Sequence, residues 1–316
     1  MLMVAPKCYK CGGVGQVYQA HTGRVLCKKC FEEDIVERVR EQIKKYNMIE
    51  SGDLVLMGIS GGKDSFVLLD VLSKLHNPSN LIALTIVEGV TGYNRRIEIE
   101  RTEEHCMERG VKYITTSFKE EIGYSLEELV SQASRKGVKE SPCTFCGVLR
   151  RRILNTMARR VGANKTATAH NLDDESQTLL VNVLRGDYNR FFRIHPMSPR
   201  LHEMLVRRIR PLRKIYEWET ALYAYFNGFG FQAYECPYIT LRPTLRAKLR
   251  RFLYAYEEKK PGSLMRMMDV YDSLLDKKRP WRDLGELPTC IKCGEPTSYG
   301  RNICKVCEII EKITGV

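Results

Sequence analysis

Twelve cysteines are the residues with the most chemistry in this chain, and ten of them fall into five Cys-x-x-Cys pairs. Only Cys106 and Cys236 stand alone. Two thiols at that spacing reach one metal ion or form a redox couple. Cys8 and Cys11 are followed fifteen residues later by Cys27 and Cys30. Cys290 and Cys293 are followed ten residues later by Cys304 and Cys307. Each set offers four thiolates, the donor number of a closed tetrahedral zinc site, which is structural rather than catalytic. An iron site and a redox pair are the rivals. Gly12-Gly13 in the first set, and Gly294 and Gly300 in the second, allow the tight turns that aim sulfurs at one ion.

Cys143 and Cys146, in Ser141-Pro-Cys-Thr-Phe-Cys-Gly147, have no second pair nearby, and their one candidate partner is Cys236 in Glu235-Cys-Pro-Tyr238. Three thiols make a poor structural zinc site. They suit an iron–sulfur cluster with one iron left without a protein ligand. They equally suit a redox relay, in which one thiolate carries a persulfide and another resolves it. Buried inert thiols are the plain alternative. Cys106 sits in a helical pattern without a partner, and core packing is its expected role.

A second chemistry lies in residues 54–69. An apolar run at 54–59 reads as a buried strand, Ser60-Gly61-Gly62 turns the chain, and residues 66–75 carry apolar residues at helical spacing. A strand, a glycine turn and a helix N-terminus together present backbone N–H groups to a phosphate. The pattern G-x-x-x-x-G-K-[ST] does not fit, because its first glycine is missing. Further on, His170-Asn-Leu-Asp-Asp-Glu175 follows an apolar stretch. Carboxylates at a strand end suit Mg²⁺ or nucleotide contact, and Asp-Asp at a helix start also suits a simple N-terminal cap. Arg150, Arg151, Arg152, Arg159 and Arg160 crowd one helical stretch, where they can reach nucleotide phosphates or an RNA backbone.

The elements that must position these groups alternate. Strands are expected at 54–59, 81–87, 111–116 and 165–169, with a fifth within 204–212. Helices are expected at 31–46, 66–75, 95–109, 148–161, 215–229, 241–256 and 265–275. Such alternation predicts an α/β fold, a parallel sheet covered on both faces. Ligands then bind at the carboxyl ends of the strands, where the Ser60 turn sits and where the backbone near Ile86 is placed to hold an adenine. The expected organisation is a ribbon at 1–33, a nucleotide-binding domain at 34–262, a helical linker at 263–284 and a second ribbon at 285–316.

The chain has 316 residues, 43% hydrophobic, with a net charge of +13. No apolar run approaches the ~20 residues that span a bilayer, and the N-terminal residues lack a signal-peptide pattern, so a cytoplasmic location without membrane association is expected. Residues 185–260 hold 16 Lys and Arg against 7 Asp and Glu, +9 of the total. Tyr188, Phe191, Phe192, Tyr216, Tyr223, Tyr225, Phe226, Phe252, Tyr254 and Tyr256 are interleaved with them. Cations bind phosphates and rings stack on splayed bases, so nucleic acid is the expected polyanion. Arg207, Arg208, Arg210, Arg213, Arg242, Arg246, Arg250 and Arg251 are the candidate RNA contacts.

Ser60-Gly-Gly-Lys-Asp-Ser65 is similar to the PP-loop of ATP pyrophosphatases. With Cys143-Thr-Phe-Cys-Gly-Val-Leu-Arg-Arg151, His170-Asn-Leu-Asp-Asp174, Arg210-Pro-Leu-Arg213, Cys236-Pro-Tyr238 and two flanking ribbons in that order, nearly the whole chain resembles the tRNA 2-thiouridine synthetase family. Leu184-Arg-Gly-Asp187 and the 210–225 region bring it closest to the wobble-uridine branch of archaea and eukaryotes. The resemblance implies that ATP adenylates the C2 oxygen of a tRNA uridine and that a sulfur nucleophile displaces AMP. It places ATP on Gly58, Ile59, Ser60, Gly61, Gly62, Lys63, Asp64, Ser65, Ile86, Arg150, Ala169 and Asp174. Lys63 would neutralise phosphate, and Asp64 and Asp174 would hold Mg²⁺ or orient ATP. Cys143, Cys146 and Cys236 would bind a [4Fe-4S] cluster whose open iron carries sulfide. In an older picture of the family one of them carries a persulfide. Two zinc ions, a ubiquitin-like thiocarboxylate carrier or sulfide as donor, and a homodimer complete the expectation. Ala169 departs from the glycine common in the family, and its methyl group is placed to crowd a nucleotide. The same chemistry on a T-loop uridine, a different PP-loop RNA-modifying ligase, and a non-enzymatic zinc RNA-binding module are the alternative readings.

Overall fold

In the computed structural model, which describes residues 6–93, 96–192, 194–231, 236–239, 245–278 and 285–315, strands and helices alternate through most of the chain. The elements are β1 (Val17–Gln19), β2 (Arg24–Leu26), α1 (Lys28–Tyr46), β3 (Val55–Gly58), α2 (Lys63–Leu75), β4 (Leu81–Val87) and α3 (Arg96–Glu108). Then come β5 (Lys112–Ser117), α4 (Phe118–Ile122), α5 (Leu126–Arg135), α6 (Pro142–Arg160), β6 (Lys165–Thr168), α7 (Leu172–Leu184) and α8 (Tyr188–Phe192). β7 (Arg207–Ile209), α9 (Glu217–Phe226), α10 (Leu245–Lys259), α11 (Ser263–Lys278) and α12 (Lys305–Thr314) finish the chain.

β3 to β7 form one parallel sheet in the order β5-β4-β3-β6-β7. Side chains alternate across it. Val55, Met57, Leu81, Ala83, Ala167 and Ile209 join α1, α2 and α9 on one face. Leu56, Ile82 and Leu84 join α5, α6 and α12 on the other. Both faces are therefore buried, which is why β4 reads as a continuous apolar run and matches its expected bounds. A third core, of Leu172, Leu179, Tyr216, Leu253, Met268 and Tyr271, joins α7, α10 and α11.

The chain builds β3, β4 and β5 in one direction and then returns to place β6 on the other side of β3. The carboxyl ends of β3 and β6 thus flank the switch point, where a crevice opens in folds of this kind. Residues 59–62 leave β3 there, and residues 169–171 leave β6 there.

Several boundaries differ from expectation for local reasons. α6 begins at Pro142, not 148: Ser141 caps it, its side chain accepting from the Thr144 N–H, and Pro142 stands at the first turn. Cys143 and Cys146 are therefore helical. β7 is only three residues long, since Pro211 has no N–H for the ladder. α4 and α5 fill a stretch that carried no expectation, and each has a serine capping box, at Ser117 and Ser125. Part of the helix expected at 241–256, residues 241–244, lies outside the described residues, and α10 runs on to Lys259. α11, in the stretch read as a linker, packs through Leu264, Met268, Tyr271 and Leu275, whose spacing of four, three and four residues makes one apolar stripe.

Both ribbons are tied to this body. Gln19 on β1 donates to Glu219 Oε1 at 3.1 Å, and Arg38 on α1 pairs with the same buried carboxylate. At the other end α12 packs on α5 and α6, and Lys312 pairs with Glu140 at 3.2 Å. No helix among the described residues is long and apolar enough to cross a membrane.

Candidate active site

The β3–α2 turn has the form a phosphate needs. Gly61 has φ +79°, a conformation that side chains other than glycine rarely adopt. Gly62 is the N-cap of α2 and supplies no side-chain cap. α5, α6 and α7 are all capped by Ser or Asn, so the first turn of α2 keeps N–H groups that its own sequence leaves uncapped. Ser65 is turned inward, its Oγ donating to the Gly62 carbonyl at 2.7 Å. Ile59 is buried and Ser60 exposed. The strand end is locked to β4, with Thr85 Oγ1 donating to the Ile59 carbonyl at 2.8 Å.

Lys63 and Asp64 open α2 and meet a set of acidic groups. Lys63 Nζ lies 2.9 Å from Asp64 Oδ2 and 3.1 Å from Glu217 Oε1. Asp64 Oδ1 accepts from Asn171 Nδ2 at 3.2 Å and from Thr220 Oγ1. Asn171 and Asp174 form the capping box of α7, and Asp174 Oδ1 pairs with Arg246 of α10 at 2.6 Å. Asp173 Oδ2 accepts the Glu217 N–H at 2.7 Å. Glu217 also takes Arg250 and the Tyr254 hydroxyl. Burial raises the Asp173 carboxyl to about 6, with the Glu217 and Asp174 charges adding and the Glu217 N–H opposing. Burial also raises Asp174; Arg246 opposes, while the Asp64 and Glu217 charges add. Burial works to lower the Lys63 ammonium, but Asp64 and Glu217 outweigh it and hold it above its ordinary value. Carboxylates that disfavour one another's charge are a surrounding that a divalent cation would relieve. Among the described residues, however, only cysteines form a group of three or more donors within 4.8 Å. A cation here would share its ligands with nucleotide phosphates, as Mg²⁺ commonly does.

The remaining expected nucleotide positions lie around this crevice. Ile86, one residue before the end of β4, packs on the α6 face. Ala169 follows β6, and its methyl group packs against the core on the α2 face. Gly58 ends β3. Arg150 pairs with Glu88, a buried carboxylate just past β4, which sets the N-terminal half of α6 at the carboxyl edge of the sheet. Burial works to lower the Arg150 guanidinium, but the Glu88, Cys146 and Tyr93 charges raise it.

Cys143 and Cys146 sit one turn apart in the first turns of α6, one exposed and one half-buried, anchored by the buried Phe145 between them. Cys236 precedes a short 3₁₀ turn (Pro237–Ile239) whose Tyr238 packs in the same core as Cys146. The Cys236 charge acts on both helical thiols. Burial raises Cys143, and the Cys236 charge adds to it. Burial raises Cys146 to about 11; Arg150 opposes, and Glu88, Cys236 and Cys143 add. The structure brings the three thiols into one neighbourhood but does not gather their sulfurs within 4.8 Å as it does those of each ribbon. Thiols whose anions disfavour one another fit a centre that supplies positive charge, as cluster irons do. Cys106 is buried in the core on the opposite face of the sheet and cannot be a fourth member.

In each ribbon all four sulfurs lie within 4.8 Å of one another. Cys11 Sγ and Cys27 Sγ are 3.7 Å apart, as are Cys293 Sγ and Cys304 Sγ. A tetrahedron with Zn–S of about 2.3 Å has edges of about 3.8 Å, so both groups could hold zinc. Burial raises the Cys8 and Cys290 thiols, but backbone N–H groups, first those of Cys27 and Cys304 from the opposite pair and then those of their own knuckles, outweigh it and hold each at about 6.

The arginines divide differently from expectation. Arg152 leaves the crevice and donates through Nη2 to Cys293 Sγ at 3.0 Å and Cys304 Sγ at 3.3 Å. Arg159 pairs with Glu295 of the same ribbon, and Arg160 with Glu121. Arg213 is no RNA contact: it is fully buried and bidentate to Asp272, at 2.7 and 2.8 Å. Arg246 and Arg250 turn inward onto Asp174 and Glu217, while Arg251 is exposed; Arg242 lies outside the described residues. Of the aromatics, Tyr216 and Tyr223 are core, while Phe252 and Tyr256 stack on each other on the exposed side of α10. Glu217, Thr220 and Glu88 were missed. Each is a single polar residue whose value depends on what folds beside it, and no local pattern marks it.

Comparison with known proteins agrees with this arrangement. The PP-loop domain family ATP_bind_3 matches residues 32–254. The chain is 31% identical to tRNA 2-thiolation protein NcsA of Haloferax volcanii over 98% of its own length and 100% of that protein. It is 33% identical to cytoplasmic tRNA 2-thiolation protein 1 of Drosophila sechellia, covering 96% of this chain and 86% of the other. The solved structure of U34-tRNA thiolase NcsA from Methanococcus maripaludis with its [4Fe-4S] cluster superposes with a TM-score of 0.81 at 32% identity, over 98% of this chain and 97% of that one. The chain belongs to the PP-loop family of tRNA 2-thiolation proteins.

Proposed function

We propose that this protein is a tRNA sulfurtransferase that makes 2-thiouridine at the wobble position of the anticodon. The observation that carries the reading is a convergence. The uncapped N-terminus of α2 and the N-terminal end of α6, which carries Cys143 and Cys146 and has Cys236 packed near it, lie at the same carboxyl edge of the sheet. In the first step the uridine C2 oxygen attacks the α-phosphorus of ATP. The bond to the bridging oxygen breaks and pyrophosphate leaves. The N–H groups of residues 60–64 hold the phosphates, and Lys63 exchanges Asp64 and Glu217 for the developing negative charge. Asp64 and Asp174 would hold Mg²⁺, which supplies charge neutralisation. Thr220 and Asn171 keep Asp64 oriented. The backbone near Ile86 and Ala169 borders the adenosine, and Arg150 stands between the nucleotide and the thiols.

In the second step a sulfur nucleophile attacks C2, the C–O bond breaks, and AMP leaves with the former uridine oxygen. Cys143, Cys146 and Cys236 would hold a [4Fe-4S] cluster, which supplies a place to bind inorganic sulfur. The donor is sulfide or a ubiquitin-like thiocarboxylate carrier. Zinc in both ribbons is structural. The enzyme works in the cytoplasm as a homodimer.

The test is an anaerobic reaction with ATP, Mg²⁺, sulfide and unmodified tRNA, followed by nucleoside mass spectrometry and position mapping. Sulfur is expected at the wobble uridine. Lys63→Ala should slow pyrophosphate release about 10²–10³-fold. Cys146→Ala should abolish thiolation while tRNA still binds. Sulfur in the T-loop would overturn the position and keep the chemistry. Unaltered thiolation in either variant would sink the proposed site.

A further inference from the structure

Ile82, Leu56, Thr166 and Arg208 are register partners in four neighbouring strands. Their side chains therefore share one face, the face α6 covers. An arginine thus stands where the row is otherwise apolar or a threonine. The Arg208 Nε is buried without a hydrogen-bond partner. Arg151, on α6, faces the same region, its guanidinium nitrogens 3.9 Å from where a Cβ on Gly147 would stand. Gly147 follows Cys146, so Arg151 lies beside the sulfur site.

Each nearby carboxylate has an oxygen on another arginine, while Glu175 Oε2 is buried without a hydrogen-bond partner. Glu175 takes Arg210 Nε at 3.3 Å, and Asp187 takes Arg190 Nε at 3.2 Å. Among the described residues, neither Arg151 nor Arg208 pairs with a carboxylate. Burial lowers the Arg208 guanidinium to about 10; the Arg210 and Arg151 charges add, and Glu175 opposes. Desolvation of its guanidinium lowers Arg151 too although the residue is exposed; the Arg190 charge adds, and the Cys146 charge opposes. His170, at the end of β6, borders the same group. Burial lowers it to about 4, Glu175 opposes, and Arg210, Arg208 and Arg246 add, so it is neutral at pH 7. Arg208, its Nε buried and unpaired, and the exposed Arg151 thus bring two cations to the face α6 covers, neither in an ion pair with a carboxylate among the described residues.

We propose that Arg151 and Arg208 form a phosphate-binding site that takes a backbone phosphodiester of the RNA, next to the nucleotide that reacts. This rests on the reading that RNA is the substrate. A base presented to both the PP-loop and the thiols brings its sugar–phosphate chain to this edge of the sheet, where Arg151 is exposed to meet it.

The experiment compares the full chain with Arg151→Gln and Arg208→Gln. Binding of a labelled anticodon stem-loop is followed by anisotropy across a salt series. Binding of a non-hydrolysable ATP analogue is followed by equilibrium dialysis, and stabilisation by inorganic phosphate by thermal melting. Each glutamine variant should flatten the slope of log K against log salt by about 0.7, the value for one phosphate contact on a single strand. ATP-analogue binding should not change, the rise of Tm with phosphate should be lost, and Arg208→Lys should restore most of the slope. An unchanged slope with weakened analogue binding would give the arginines to the nucleotide's phosphates and overturn the RNA assignment. Unchanged binding of all three probes, in variants that melt cooperatively, would overturn the site. A wild type that binds no RNA, yet loses its phosphate response on substitution, would overturn the substrate reading and leave the anion site standing.

Discussion

Asp70 shows how single residues hold the site in place from behind. It lies on α2, the helix that begins with Lys63, and accepts from Tyr223 at 2.6 Å, Lys74 at 2.7 Å and Arg109 at 2.9 Å. One carboxylate thus ties α2 to α9 and to the end of α3. Burial would raise its carboxyl, but Lys74, Tyr223 and Arg109 outweigh burial and hold it below the ordinary carboxylate value. A depressed folded value means stability that is present above the unfolded pKa, about 3.9, and lost as pH falls through the folded one. Asp70→Asn should therefore cost roughly 1.5–3 kcal/mol in urea unfolding at pH 7, the scale of hydrogen bonds to a charged group, with the gap to wild type closing below pH about 4. A constant gap from pH 7 to 3 would show that the charge is not the source. Nothing in Leu69-Asp-Val71 announces this role, because only Lys74 is a helical neighbour and the two partners that join other elements are distant in sequence.

At the scale of elements, α6 is the piece on which most depends. Ser141-Pro142 starts it early enough to make Cys143 and Cys146 helical, so its N-terminal end faces the crevice. Its middle touches the C-terminal ribbon through Arg152, and Glu140, just before its N-cap, is held by Lys312 of α12. A guanidinium donating to two thiolates offsets charge that a tetrathiolate zinc site accumulates, the usual work of groups behind metal ligands. Arg152→Gln should speed chelator-driven zinc loss from this ribbon about 10–100-fold and leave the N-terminal ribbon's rate unchanged. Zinc release read with a colorimetric chelator, against ribbon-specific cysteine labelling, decides it. Equal rates in variant and wild type would reduce Arg152 to a partner of Glu295.

At the scale of the molecule, the sheet and the α7–α10–α11 core must keep one relation, since α10 reaches from that core onto Asp174 and Glu217. The Arg213–Asp272 pair joins the segment after β7 to α11, fully buried, with Lys214 at 3.2 Å from the same carboxylate. Arg213→Ala should destabilise by about 3–5 kcal/mol, because it strands a buried charge, and leave the salt slope of RNA binding as it was. Denaturant unfolding beside the salt series separates the two. A flattened slope with unchanged stability would return Arg213 to the RNA surface.

What the sequence by itself determined is what depends on short spacing. The four-thiolate ribbons follow from Cys-x-x-Cys pairs. The glycine turn follows from Ser60-Gly-Gly-Lys-Asp-Ser65. The parallel sheet follows from apolar runs alternating with helical patterns. Each of these is local physics, settled within a few residues of the chain. Only the tertiary structure decided which cations face one another. Arg151, Arg152, Arg208 and Arg213 are alike in sequence, yet one meets thiolates, one an aspartate, and two have no carboxylate among the described residues. A guanidinium's partner is set by strand register and helix phase over many residues, and desolvation then fixes whether its charge is neutralised or left to attract a ligand.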